Sequence, residues 1–138
     1  MDIIIGVGLG IVIPVFAAWI GLDRDRAFYP TVLIVIASYY VLFAAMGGSP
    51  QTAIAEIVAM TLFMALALLG FKRSPWWLVL GLFAHGVFDF THGLFIDNAG
   101  VPLWWPAFCS SIDVVTAVVL GLLLKRDSWR FSQPRLAP

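Results

Sequence analysis

The sequence predicts an all-α integral membrane protein, a bundle of five transmembrane helices with its N-terminus outside and its C-terminus in the cytoplasm. Three observations indicate this class. The composition is too apolar for a soluble surface, five apolar stretches are each long enough to cross a bilayer, and every lysine and arginine falls in alternate connecting segments or the tail. The distribution of lysine and arginine is independent of the other two observations.

The composition excludes most soluble classes. The chain has 138 residues, of which 62% are hydrophobic and 12% charged, and its mean hydropathy is +0.98. Soluble domains have about 45–50% apolar and about 25% charged residues. A disordered chain is excluded for the same reason. The length predicts a single transmembrane domain over residues 1–138, and the net charge of zero gives no indication of a nucleic-acid partner.

The five apolar stretches each contain about 20 residues, the length that a helix needs to cross the hydrocarbon core. Polar or turn-forming segments separate them. Ser49-Pro50 and Ser74-Pro75 each offer a capping hydroxyl followed by proline at the first helical position. The connections are short, so consecutive helices are expected to be antiparallel neighbours. The predicted helices cover residues 3–22, 28–46, 52–71, 76–96 and 106–124, followed by a short cytoplasmic tail, 125–138.

The orientation follows from the basic residues, because cytoplasmic loops carry an excess of lysine and arginine. With five spans, all eight of them lie on one side of the membrane. They are Arg24, Arg26, Lys72, Arg73, Lys125, Arg126, Arg130 and Arg135. Tryptophan pairs at 76–77 and 104–105 are typical of the two interfaces.

Three glycines in the first span, Gly6, Gly8 and Gly10, do not form a phosphate-binding loop, because they follow no strand and lie inside a helix. Gly6 and Gly10 instead have the small-xxx-small spacing of close helix contacts. The sequence therefore predicts that this face of the first helix packs against another helix.

Ionisable residues lie within three of the apolar spans. On the fourth helix, Asp89 follows His85 by four residues and His92 follows Asp89 by three, so the three side chains share one face. A rise of about 1.5 Å per residue places the whole set in the outer half of the bilayer. The five residues are Glu56, His85, Asp89, His92 and Asp113.

The set contains three carboxylates and two imidazoles, and no lysine or arginine lies within a predicted span. One charged residue at mid-bilayer costs about 2.5–3.5 kcal/mol, so bound protons, a metal ion or a cationic ligand must offset the charge. A carboxylate and a histidine at i, i+3, with carboxylates from facing helices, is the pattern of metal-binding bundles. We predict a divalent metal ion held by Glu56, Asp89, His92 and Asp113, with His85 as a fifth ligand, as support for the others or as part of a second site. Nitrogen and oxygen donors favour zinc, iron or manganese.

Cys109 lies on the same face of the fifth helix as Asp113. The pattern leaves open whether it is a ligand or a small core residue.

The stretch from His85 to Asp113 resembles an uncharacterised family of small bacterial multi-spanning membrane proteins. The motif is a histidine-aspartate helix followed by a proline- and tryptophan-containing segment, and Glu56 fits a glutamate in an earlier helix. The matching residues are His85-x-x-x-Asp89-x-x-His92, Pro102-x-Trp104-x-Pro106 and Cys109-x-x-x-Asp113. The resemblance implies that these residues act as a unit in a bacterial inner (cytoplasmic) membrane, and it implies no particular reaction.

Three functions are compatible with the sequence. In the first, Asp89, Asp113 and His85 form the catalytic centre of a metal-dependent or acid/base enzyme that acts on a lipid or apolar substrate entering sideways. In the second, the set transports or senses a metal ion or protons, although the inner halves of the spans have few polar groups. In the third, the chain is a non-catalytic subunit of a larger membrane complex or a homo-oligomer. Membrane lipids are expected partners in each case.

Overall fold

The computed structural model describes residues 1–126, and within that range every regular element is helical. A short 3-10 turn, Leu22–Arg24, follows the first helix. All five α-helices are long and apolar enough to cross a membrane. They are α1 (Asp2–Ile20), α2 (Phe28–Gly47), α3 (Pro50–Lys72), α4 (Trp76–Phe95) and α5 (Trp105–Arg126). The predicted all-α fold with five spans is confirmed.

Every observed helix boundary lies within two residues of the predicted one. At α5 the difference moves two residues from one segment to another: Lys125 and Arg126 belong to the helix, although the sequence predicted them in the tail. Basic side chains in the last turn interact favourably with the helix dipole, so the helix continues past its apolar segment. Residues 127–138 of the predicted tail, with Arg130 and Arg135, lie outside the described range.

The helix ends follow local chemistry. Gly21 ends α1 in the left-handed conformation, with φ of 80°, which glycine adopts without steric cost. Ser49 caps α3, since its hydroxyl accepts a hydrogen bond from the Thr52 N–H at 3.1 Å and Pro50 is the first helical residue. α4 begins at Trp76, as predicted, but Pro75 precedes the helix instead of being its first residue, and the Trp76 N–H donates to the Ser74 hydroxyl at 3.4 Å.

The helices do not pack in chain order. α5 lies between α1 and α4, while α2 packs against α3 and α4. Along the described chain α1 makes no helix contact with α2. The expectation that consecutive helices are neighbours is therefore confirmed for α2–α3, α3–α4 and α4–α5 and is wrong for α1–α2.

The glycines of α1 explain why this helix packs on α5. A Cβ atom at Gly6 would contact the Ser111 hydroxyl and lie 2.6 Å from the Phe108 carbonyl oxygen. One at Gly10 would lie 2.8 Å from both the Ile112 carbonyl oxygen and the Val115 Cβ atom. The predicted small-residue contact is confirmed, because only glycine permits this approach.

The two ends of the bundle differ in character. The basic end is formed by the α1–α2 and α3–α4 connections and the end of α5, and it carries the six described basic residues. Residues from these connections meet in one small pocket, which includes Arg26, Pro75 and Leu120. The opposite end, which we call the site end, is formed by the α2–α3 turn and the α4–α5 loop. Buried apolar side chains such as Leu33, Leu82 and Leu120 fill the interior towards the basic end.

Candidate functional site

Three of the predicted residues meet where α4 contacts α5. The His85 Nδ1 atom lies 2.7 Å from the Asp113 Oδ2 atom and 3.3 Å from the Asp89 Oδ2 atom. We call these three residues the His85 cluster. All three side chains are buried, and they offer ligand atoms within 4.8 Å of one another. The group could therefore hold a metal ion.

A close helix contact positions this cluster. Gly86, next to His85, approaches α5 so closely that a Cβ atom there would lie 3.0 Å from the Ser110 carbonyl oxygen and 2.7 Å from the Val114 Cγ2 atom. The absence of a side chain at Gly86 lets the two backbones approach. This approach allows the imidazole on α4 to reach the carboxylate on α5.

The other two predicted residues form a second group nearer the site end. The His92 Nε2 atom lies 2.8 Å from the Glu56 Oε1 atom, and the Asn98 amide donates to the same oxygen at 2.8 Å. Asn98 also donates to the Tyr40 carbonyl oxygen at 3.2 Å. We call Glu56, His92 and Asn98 the Glu56 cluster. It joins α3, α4 and the α4–α5 loop to α2.

Aromatic rings enclose both imidazoles. Tyr40 stacks on His92 with a centroid distance of 4.1 Å and an interplanar angle of 17°, and it also lies 6.3 Å from the His85 ring. Phe63 contacts His85 edge-on at 4.6 Å, and Phe88 contacts His92 at 5.4 Å. These rings fix the imidazoles and keep the surroundings of both clusters apolar.

Several buried polar atoms in or beside the two clusters have no hydrogen-bond partner within the described chain. Both Asp89 carboxylate oxygens, the Glu56 Oε2 atom, the His85 Nε2 atom and the Tyr40 hydroxyl are in this position. The Asp89 Oδ2 atom is close to His85 but lacks hydrogen-bond geometry. An unsatisfied buried polar group costs about 1–3 kcal/mol, and more if it is charged. The clusters therefore retain unused capacity to bind protons, an ion or a ligand.

An apolar cleft reaches the His85 cluster from the side of the bundle. It lies between α2 and α5, where α1 leaves α2 uncovered, and has a volume of about 210 Å³. Its lining is mostly apolar but includes Asp113, Cys109 and Thr116 of α5. Trp105 of α5 contacts both Tyr39 and Phe43 of α2 at centroid distances of 5.0 Å and closes the cleft towards the site end.

Two larger grooves, with volumes of about 480 and 430 Å³, lie elsewhere on the helix surfaces. No residue of either cluster lines them. The smaller cleft is the one relevant to chemistry, because it has a cluster carboxylate in its wall.

All five residues singled out from the sequence are buried in the same half of the bundle. They separate into two groups, however, because Asp89 faces His85 and Asp113 while His92 faces Glu56. The metal-capable geometry in the described chain comprises His85, Asp89 and Asp113. Metal ligation by all five residues stays a prediction.

The remaining polar residues of α5 have different surroundings. Cys109 lies beside the His85 cluster, with its sulfur 3.9 Å from the Asp113 Oδ2 atom. Thr116 faces α1 instead, where its hydroxyl donates to the Gly10 carbonyl oxygen at 3.4 Å.

Neither Asn98 nor Tyr40 was singled out from the sequence. Asn98 lies in a turn-forming segment, where an asparagine has an ordinary local role, so the sequence contains no signal for its contact with Glu56. Tyr40 had a signal, since its depth in α2 matches that of the polar set.

No family model, curated protein or solved structure matches the chain. Any functional assignment therefore depends on the geometry of the two clusters and the cleft.

Proposed function

We propose that the protein is a membrane-embedded enzyme that acts on a lipid or another apolar substrate, with the His85 cluster as its reacting centre. One observation carries the proposal: Asp113, which contacts His85, forms part of the wall of an otherwise apolar cleft. A substrate dissolved in the bilayer would reach this cleft between α1 and α2 without crossing water.

The cluster has the donors that either of two mechanisms needs. In acid/base chemistry, Asp113 exchanges a proton with the substrate, His85 exchanges that proton with Asp113 over 2.7 Å, and Asp89 stabilises the imidazolium. In metal-dependent chemistry, the three residues would hold the ion, which would supply Lewis acidity or an activated water to a substrate in the cleft. Zinc, iron or manganese suits this donor set.

We assign a supporting role to the Glu56 cluster. Its members are joined by 2.8 Å contacts to the Glu56 Oε1 atom, and with the Asn98–Tyr40 hydrogen bond they connect three helices and the α4–α5 loop. This network fixes the end of α4 on which Asp89 also lies. It fits a role in positioning the His85 cluster.

Transport of ions or protons is less well supported. A pathway would have to continue from the His85 cluster to the basic end through Leu33, Leu82 and Leu120, each of which has 0% exposure. Within residues 1–126 the buried ionisable side chains beyond this apolar region are Asp23 and Tyr29, which lie together at the basic end. The enzyme proposal needs no such pathway.

We further propose that the site end faces outwards from a bacterial inner membrane. The basic end carries Arg24, Arg26, Lys72, Arg73, Lys125 and Arg126, and the positive-inside rule places such an end in the cytoplasm. The substrate would then come from the outer leaflet.

The enzyme proposal can be tested in proteoliposomes made from a bacterial lipid extract. The unsubstituted protein is expected to convert at least one lipid species, as detected by mass spectrometry, and Asp113→Asn is expected to abolish the conversion. Asp23→Asn is a matched control, because it alters a buried carboxylate at the basic end, away from both clusters. An unchanged lipid profile with the unsubstituted protein, or equal conversion by Asp113→Asn, would contradict the proposal.

A further inference from the structure

Cys109 is the only cysteine in the sequence, and its buried side chain lines the cleft beside Asp113. We propose that Cys109 supplies a fourth ligand, so that the His85 cluster binds zinc or ferrous iron through one nitrogen, two carboxylate oxygens and one thiolate. The inference depends on the metal-dependent form of the proposed function, in which water or substrate would then add to the ion as a fifth ligand. On binding, the metal–sulfur bond replaces the S–H bond, and the thiol proton is released to solvent.

The helical spacing brings the sulfur to the cluster. Cys109 and Asp113 are four residues apart on α5, so their side chains lie one turn apart on the same face. The sulfur is 3.9 Å from the Asp113 Oδ2 atom, and both residues are almost fully buried, with exposures of 3% and 1%.

Two of the interatomic distances are close to those around a zinc ion, whereas the Cys109 sulfur would have to turn towards His85 and Asp89, because in the described chain only the donors of His85, Asp89 and Asp113 lie within 4.8 Å of one another. Zinc lies about 2.3 Å from sulfur and about 2.0–2.2 Å from nitrogen or oxygen, which separates a sulfur and an oxygen ligand by roughly 3.6 Å and a nitrogen and an oxygen by roughly 3.4 Å. The Cys109–Asp113 distance is 3.9 Å, and the His85–Asp89 distance is 3.3 Å. The 2.7 Å His85–Asp113 contact would lengthen when the ion replaces the shared proton.

Asp89 gives an independent indication of a bound cation. Its side chain has 0% exposure, and neither of its oxygens accepts a hydrogen bond of good geometry in the described part of the chain, although its Oδ2 atom lies 3.3 Å from the His85 Nδ1 atom. An ionised carboxylate in this position is costly unless a cation pairs with it. A divalent ion would offset two of the three negative charges that Asp89, Asp113 and the Cys109 thiolate bring to the site.

A thiolate ligand would also restrict the choice of metal. Soft sulfur donors favour zinc and iron over manganese, which prefers carboxylate, carbonyl and water oxygens. Nitrogen and oxygen donors alone leave zinc, iron and manganese open, and the proposed thiolate ligand reduces this choice to zinc and iron.

Cobalt(II) provides a direct test, because it occupies zinc sites and shows an intense near-ultraviolet charge-transfer band only when bound to thiolate. Chelator-treated protein in detergent would be titrated with Co²⁺ alone. We expect visible d–d bands together with the sulfur band. Cys109→Ser should lose the sulfur band, whereas Ser111→Ala, on the same helix but facing α1, should keep it.

The outcomes separate this inference from the proposal on which it depends. Cobalt binding with d–d bands but no sulfur band in the unsubstituted protein would overturn the role of Cys109 and leave metal binding by the other three residues intact. Absence of cobalt binding would overturn both. The unsubstituted protein decides between these outcomes, so the test does not depend on whether the serine variant folds.

A second measurement uses the fact that the chain has a single cysteine. Zinc is expected to slow the alkylation of Cys109 by a lipid-soluble maleimide at least tenfold, because the metal-bound thiolate is not free to react. An alkylation rate that zinc does not change would overturn the inference.

Discussion

Replacing Gly10 by alanine places a methyl group in the contact between α1 and α5. The new Cβ atom would lie 2.8 Å from the Ile112 carbonyl oxygen and 2.8 Å from the Val115 Cβ atom. Neither atom can rotate away, because one belongs to the backbone and the other is attached to it directly. The helices must therefore separate by some tenths of an ångström. Gly8→Ala is the matched control, since a Cβ atom there has nothing within 4 Å.

The expected size of the effect follows from two opposing contributions. Alanine is about 1 kcal/mol more favourable than glycine in a helix interior, and this gain applies to both variants. Overpacking at a tight contact costs about 1–3 kcal/mol, and this loss applies only to Gly10→Ala. The free energy of unfolding of Gly10→Ala should thus be about 1–3 kcal/mol below that of Gly8→Ala.

The comparison can be made by reversible unfolding in mixed micelles, followed by circular dichroism. Movement of α1 should also widen the cleft, because Ile13 lies in its wall. Equal free energies of unfolding for Gly8→Ala and Gly10→Ala would refute the packing of α1 on α5 described above.

Three further predictions concern the site end, the cleft and the topology. Asn98→Ala removes the amide that donates to Glu56 and to the Tyr40 carbonyl oxygen, so it should lower the free energy of unfolding by about 1–3 kcal/mol. The control is Asp97→Ala, at an exposed neighbouring position, which should change the free energy of unfolding little. Equal effects of the two substitutions in the same unfolding assay would contradict the hydrogen bonds of the Glu56 cluster. Trp105→Ala should speed the alkylation of Cys109 by a lipid-soluble maleimide several-fold, because Trp105 closes the cleft against Tyr39 and Phe43. The control is Trp104→Ala, since Trp104 is exposed. An unchanged alkylation rate for Trp105→Ala would exclude this route to the sulfur. In a Cys109→Ser background, a charged maleimide added to intact cells should label Asp97→Cys at the site end but not Arg73→Cys at the basic end, and the reverse pattern would invert the proposed orientation.

The sequence was sufficient for the number and extent of the helices, because hydropathy and proline or glycine breaks act locally. It also identified the glycines of α1 as a packing face. It could not show that this face meets α5 instead of α2, since the spacing of Gly6 and Gly10 is the same whichever helix is the partner. The cleft follows from that choice of partner and was therefore beyond sequence reasoning.

The sequence predicted which ionisable residues lie together in one half of the bundle, but it did not predict that they form two separate clusters. Helical spacing placed His85, Asp89 and His92 on one face, yet seven residues along the axis correspond to about 10.5 Å. This length lets the two ends of the face meet different neighbours, Asp113 at one level and Glu56 at the other. Asn98 joins Glu56 only because the α4–α5 loop folds back over α2, which no local pattern indicates.

The metal-dependent form of the proposed function requires that the His85 cluster hold a metal ion next to the cleft, and the metal content of the purified protein tests this requirement most directly. Inductively coupled plasma mass spectrometry of protein prepared without chelators should find about one zinc or iron ion per chain. Asp89→Asn should lose the ion, and Asp23→Asn should retain it. An unsubstituted protein that contains no metal and takes up none from a zinc-containing buffer would contradict the metal-dependent form of the proposed function.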